Sequence, residues 1–124
     1  MASATDRFTL SRDQMIKSRA DFQRIFKKGK IARGKYFHAR ILPSQFTRVA
    51  FVVRRTIGKA VERNRMKRLL REAYRQQQNL FRGREVIFIC KKFVSDYQIV
   101  RHEVNRISKA WNILLFSLSN YIKN

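Results

Sequence analysis

The pattern of the sequence is that of an α+β domain, with helices packed on a small sheet. Three features point to it. Apolar residues recur at helical spacing in three segments and at strand spacing in three others. The two kinds interleave as helix, strand, strand, helix, strand, helix. No repeat, Gly/Ser linker or low-complexity tract divides the 124 residues, a length that suits one domain. Residues 1–14 are polar and aperiodic and read as a flexible N-terminal arm; 15–124 read as one domain.

Each element has its own signal. Ser18-Arg19-Ala20-Asp21 has capping-box spacing, and Phe22, Ile25 and Phe26 follow at i, i+3 and i+4 on a short helix that Gly29 can end. Phe37, Ala39 and Ile41 alternate with Tyr36, His38 and Arg40, as in a half-buried strand. After Pro43, Val49, Phe51 and Val53 alternate again, and so short a connection predicts antiparallel pairing of the two strands. Gly58 precedes a long helix running to about Gln78, and residues 79–84 form a loop around Gly83. Val86 to Cys90 is apolar at every position, the mark of a central strand. A last helix runs from about Ser95 toward Tyr121, its buried stripe marked by Val100, Val104, Ile107, Trp111, Leu114 and Leu118.

The composition supports a packed core, with 44% hydrophobic residues and ten phenylalanines. The charge is extreme: 29 Lys and Arg against 8 acids, a net +21. Self-repulsion on that scale opposes compaction, and nucleic acid is the partner that best relieves it. The lone Cys90 excludes an internal disulfide and a thiolate zinc site, and in its apolar run it reads as a small core residue. No run of 18 apolar residues can span a membrane, and no secretory signal opens the chain, so a reducing, cytoplasmic setting is expected.

The informative stretch is Arg54 to Arg75. It carries Arg54, Arg55, Lys59, Arg63, Arg65, Lys67, Arg68, Arg71 and Arg75 against only Glu62 and Glu72. At about 100° per residue, Met66, Leu69, Leu70 and Ala73 share one side of a helix. Asn64, Lys67, Arg68, Arg71 and Arg75 share the other, with Arg63 and Arg65 at the flanks. Lys67 with Arg71, and Arg71 with Arg75, are like-charge i,i+4 pairs that each cost about 0.2–0.5 kcal/mol. A helix merely solvated by salt bridges would interleave acids here. Arginine predominates, and its planar fork grips phosphate in two places where lysine acts as a point charge. The ridge reads as a phosphate-contacting surface.

Enzyme chemistry of the protein's own is not visible. His38 and His102 have no His or carboxylate partner at catalytic spacing, and the scattered acids make no two-metal cage. Gly58-Lys59 is no nucleotide-binding loop, because Val53 stands five before Gly58 and Ala60 follows the lysine. A major-groove helix-turn-helix would need a helix where a strand precedes the basic helix. A ribosomal or RNA-assembly structural protein is the alternative reading on charge and size.

The run Ala60-Val61-Glu62-Arg63-Asn64-Arg65-Met66-Lys67-Arg68-Leu69-Leu70-Arg71 resembles the Arg-Asn-Arg signature of the bacterial ribonuclease P protein subunit. Ile57-Gly58-Lys59-Ala60 before it and Arg71-Glu72-Ala73-Tyr74 after it also match. Asp21 to Gly29 is similar to that family's first helix and Glu85 to Lys92 to its last strand, so the likeness covers residues 16–110. It implies a mixed four-stranded sheet in a ribosomal-protein-like two-layer sandwich, with a left-handed crossover between the strands at 49–53 and 86–90. It implies an endoribonuclease holoenzyme in which a catalytic RNA, with Mg2+ held mainly by RNA, removes the 5′ leader of precursor tRNA. The protein would bind no cofactor or small-molecule substrate of its own. The signature helix would meet the catalytic RNA, and a cleft between the first helix and the sheet would take the single-stranded leader. Phe22 and Phe26 match aromatic cleft positions; Arg40 stands where many members have Tyr, with Tyr36 nearby.

Overall fold

The computed structural model describes residues 10–123, with side chains through Asn112. The elements are α1 (Arg19–Lys28), β1 (Lys30–Arg33), β2 (Phe37–Pro43), β3 (Arg48–Val53), α2 (Ala60–Arg75), β4 (Arg84–Cys90) and α3 (Tyr97–Lys123). Their sheet runs β1-β2-β4-β3. β4 pairs antiparallel with β2 and parallel with β3, and β1 is an antiparallel edge on β2.

This order corrects the expected pairing of β2 with β3, because β4 lies between them. The reason is burial. From Glu85 to Cys90 every residue of β4 is buried, and only a central place covers both faces of such a strand. The connection allows it: β2 and β3 lie two strand spacings apart, about 10 Å, and residues 44–47 reach about 13 Å when extended. Two hydrogen bonds fix this span to the turn before β4. Ser44 N–H donates to Gly83 O at 2.9 Å, and Gly83 N–H donates to Thr47 Oγ1 at 2.8 Å. Gly83 turns at φ 73°, where a Cβ would be strained.

The sequence pattern marks three strands and leaves β1 unmarked. Of its four residues only Ala32 is buried, so alternation has nothing to register, and the charged Lys30 and Arg33 suit an exposed edge.

Alternation in the sheet divides the core. Ala39, Ile41, Val49, Val86, Phe88 and Cys90 pack with Met66, Leu70, Ala73 and Tyr74 of α2 and with Val100, Val104, Ile107 and Trp111 of α3. Phe88 stacks on Phe51 at 5.9 Å and meets Phe37, Tyr74 and Phe81 edge-on. On the other face Ala50, Ile87 and Ile89 pack with Ile16 and with Ile25 of α1. Helices therefore lie on both faces: α2 and α3 form the main layer, and α1 covers part of the opposite one. Leu114 and Leu118 of the predicted stripe lie outside the described side chains.

The caps follow local chemistry. Ser18 Oγ accepts from Asp21 N–H at 3.0 Å, while Asp21 turns its carboxylate to Arg24 and Arg48 instead of closing the box. Helix α2 ends at Arg75, three residues before the expected Gln78. There Gln77, buried, donates its side-chain amide to Ala73 O and Arg101 O and stops the turn. Leu10 packs on the main core, and Gln14 Nε2 donates to Gln78 Oε1. Residues 1–9 of the expected arm lie outside the described residues.

Candidate nucleic-acid interface

Helix α2 is launched from a rigid corner. Gly58 adopts φ 157° and ψ −164°, a region open in practice to glycine alone, and a Cβ there would meet the Glu62 carboxylate at 3.0 Å. Glu62 accepts from the Lys59 N–H at 3.2 Å, and Arg63 Nη1 donates to Gly58 O at 2.8 Å. The loop and first turn are thereby locked together. Arg63 spends part of its hydrogen-bonding capacity inward.

Beyond that corner, Met66, Leu70, Ala73 and Tyr74 are buried, and Asn64, Arg65, Lys67, Arg68 and Arg71 are exposed. Arg65, Lys67, Arg68 and Arg71 make no ion pair among the described residues. Arg75 differs. Its guanidinium is held by Glu72 at 2.5 Å, which keeps the Glu72 carboxyl below its usual range through that hydrogen bond. Arg55 and Lys59 are exposed at the foot of the helix. Arg54 lies apart, close enough to His38 on the sheet to depress its pKa.

The ridge stays uncompensated because nearby acids are committed elsewhere. Asp21 and Glu85 hold Arg24 and Arg48, Glu62 caps α2, and Glu72 holds Arg75. Asp96 accepts from Gln98 N–H, and Glu103 accepts from the backbone N–H groups of Lys35, Tyr36 and Phe37. These commitments leave Arg65, Lys67, Arg68 and Arg71 without an ion pair among the described residues. The described residues hold no group of three or more His, Cys, Asp or Glu arranged to bind a metal. None of their helices is long and apolar enough to cross a membrane.

On the opposite face α1 and β2 form the second cationic region. Phe22 is half-buried, Phe26 is 39% exposed, and the Arg40 guanidinium lies over the Phe26 ring at 5.8 Å. The structure thus brings Phe22, Phe26 and Arg40 together. It does not bring Tyr36 to them. Tyr36 sits in the bend before β2 and packs against the core on the α2 and α3 side, so it is removed from this group.

The strand alternation had already put His38 on the same side of β2 as Arg40, but sequence reasoning weighed it only as a catalytic base and did not assign it to this region. His38 Nδ1 and Arg40 Nε are buried without a hydrogen-bond partner among the described residues. Burial, then the charges of Lys91, Arg33, Arg40 and Arg54, hold the His38 pKa below 6.5. Arg40 thus sets a positive charge, and His38 a polar imidazole, beside an exposed aromatic ring.

Between α1 and the sheet edge runs an ionic hinge. Glu85 is fully buried and accepts from Arg24 at 2.9 Å and from Arg48 at 2.6 Å, while Asp21 also pairs with both arginines. Nothing in the strand pattern announced this, since Glu85 reads as the polar start of β4.

A family model described as Ribonuclease P matches residues 10–114 of the chain. The ribonuclease P protein component of Desulforapulum autotrophicum is 32% identical over 107 residues, which cover 82% of this chain and 92% of that one. That of Thermotoga maritima is 34% identical over 95 residues, covering 74% and 80%. The solved structure of the Thermotoga maritima RNase P protein matches with a TM-score of 0.69 at 31% identity, over 77% of this chain and 94% of that one. The RNase P protein of Staphylococcus aureus gives 0.68 at 26%, over 82% and 91%. A mixed sheet carrying an uncompensated cationic helix, matched along nearly its whole described length, places the chain in the ribonuclease P protein family.

Proposed function

We infer that this chain binds the catalytic RNA of a cytoplasmic ribonuclease P and assists Mg2+-dependent removal of the 5′ leader from precursor tRNA. One observation carries the reading: Arg65, Lys67, Arg68 and Arg71 stand exposed, without an ion pair among the described residues, on one rigid helix whose opposite side is buried in the core. Such a helix is unfavourable by itself and becomes favourable on a polyanion. Arg55, Lys59, Arg63 and Asn64 extend the surface at its N-terminal end, with Arg63 also bracing the corner.

The second region suits an unpaired strand. Phe26 offers a ring for a base, Arg40 and Arg54 offer cations for the phosphates beside it, and His38 adds a polar imidazole. Phe22, half-buried one turn earlier on α1, packs against the core on that face. These features support the α1 cleft as the surface for the leader.

Among the described residues no three His, Cys, Asp or Glu side chains gather as a metal cage would need, and Glu62, Glu72, Glu85 and Glu103 are engaged in a cap, ion pairs and backbone contacts. The protein's part in the reaction is accordingly electrostatic. It lowers the repulsion between the catalytic RNA and its substrate and so reduces the cation concentration needed to bring them together.

The test is reconstitution. Leader cleavage of precursor tRNA is measured at low magnesium with a ribonuclease P RNA alone and with the protein added. Stimulation at low magnesium that fades at high magnesium is expected. No stimulation at any magnesium concentration would remove the assignment and favour a purely structural RNA-binding role.

A further inference from the structure

A third surface lies on α3, away from both regions above. Its base is the bend at residues 34–37, held unusually firmly for a connection between an edge strand and its neighbour. Glu103, buried at 4% exposure, accepts from the backbone N–H groups of Lys35, Tyr36 and Phe37, and the Lys91 and Lys92 N–H groups donate to Tyr36 O at 2.8 and 3.0 Å. Gly34 has no room for a Cβ, which would strike Phe37 O and the Glu103 carboxylate. A buried carboxylate is costly unless fully hydrogen-bonded, and here it spends its capacity on fixing one short bend.

That bend and α3 enclose a groove of about 260 Å³. Tyr36 and Ile99 supply its apolar part, and Ile99 is 39% exposed, one of the few large apolar side chains the fold leaves open. Lys35, His102 and Arg106 form the rim. The one acid lining it, Glu103, is engaged by the backbone. Gln98 and His102 are shared with a second, polar cavity of about 380 Å³ that Gln77, Arg101 and Asn105 complete. That cavity sits where the C-terminal end of α2 meets α3, through the Gln77 to Arg101 bond.

We propose that the groove between residues 34–37 and α3 is an additional RNA contact that receives one unpaired nucleotide, its base against Tyr36 and Ile99 and its phosphates on Lys35, Arg106 and Arg101. Charge complementarity selects this occupant: an apolar slot ringed by cations fits a base with flanking phosphates. The inference rests on the partner being RNA, but it adds a surface that neither α2 nor the α1 cleft provides.

The test uses the full chain with ribonuclease P RNA and, separately, with precursor tRNA. Ile99→Cys is labelled with a photoreactive azidophenacyl group; the only other cysteine, Cys90, is buried, with its thiol pushed up to about 11 by that burial. Irradiation should give a crosslink to an unpaired nucleotide of one of the two RNAs. In parallel, Ile99→Glu should weaken binding of that RNA by roughly 5- to 160-fold, as expected when one stacked base is displaced. Arg106→Ala should lower its salt dependence by about 0.7–0.9 in log–log slope. Both positions are exposed, so unchanged circular dichroism and melting confirm that the fold is kept.

A crosslink to the protein itself would mean that another segment or a second copy fills the groove. That result, the absence of any crosslink, or undiminished affinity in Ile99→Glu each overturns the proposal. Replacing Arg68 and Arg71 tests the α2 reading independently. If only those replacements weaken binding, the groove fails while RNA recognition by α2 stands.

Discussion

Replacing Arg68 and Arg71 together with Ala should weaken RNA binding and make it less salt-dependent while slightly stabilising the free protein. Both side chains are exposed and without an acidic partner among the described residues, whereas Arg75 is held by Glu72. Neutralising one phosphate takes about 0.7–0.9 of the slope of log K against log salt, so removing two such cations should lower it by about 1.4–1.8. Between about 50 and 200 mM salt, the native protein should then lose roughly 7- to 12-fold more affinity than the variant. Stability moves the other way. The variant removes the like-charge pairs of Arg71 with Lys67 and Arg75, each worth about 0.2–0.5 kcal/mol, and puts the best helix former at both sites. The assay is filter binding of ribonuclease P RNA across that salt range, beside thermal melting at low salt. Arg75→Ala is the internal control. Its charge is already neutralised, so its slope should change less. An unchanged slope in the double variant, or an equal drop in Arg75→Ala, would refute the claim that this ridge meets phosphate.

Two further predictions concern the opposite face. Glu85→Ala leaves Arg24 and Arg48 facing each other over a buried site; since both arginines remain partly exposed, the expected cost is about 2–4 kcal/mol in urea unfolding. A cost below about 1 kcal/mol would show that the hinge contributes little, within the usual range of surface pairs. His38 should titrate below 6.5 in the free protein and move upward when RNA supplies phosphate nearby, as read from its imidazole resonances. The sign for stability follows: its folded pKa is depressed, so this contribution is present above 6.5 and is lost as pH falls through the window below it. A His38 resonance that titrates identically with and without RNA would separate it from the binding surface.

The amphipathic helix was legible because charge and periodicity act locally. The 3.6-residue period alone puts Met66, Leu70 and Ala73 on one side and Lys67, Arg68 and Arg71 on the other. The two-sided burial of β4 was legible for the same reason, in an unbroken apolar run. Hydrophobic pattern says how deeply a strand is buried and is silent about its neighbours, so β4 could be recognised as central without its insertion between β2 and β3 being foreseen.

Meetings between side chains far apart in the chain belong to the fold. Arg24 and Arg48 converge on Glu85, Glu103 caps a bend nearly 70 residues upstream, and Arg40 lies over Phe26 while Tyr36 turns to the other side of the sheet. These depend on strand order and on which face each helix takes, and both are set by packing the whole core at once. The chain's own order of residues was enough to put an excess of positive charge on one helix. Folding then engaged the neighbouring acids elsewhere, and this leaves the charge available to RNA.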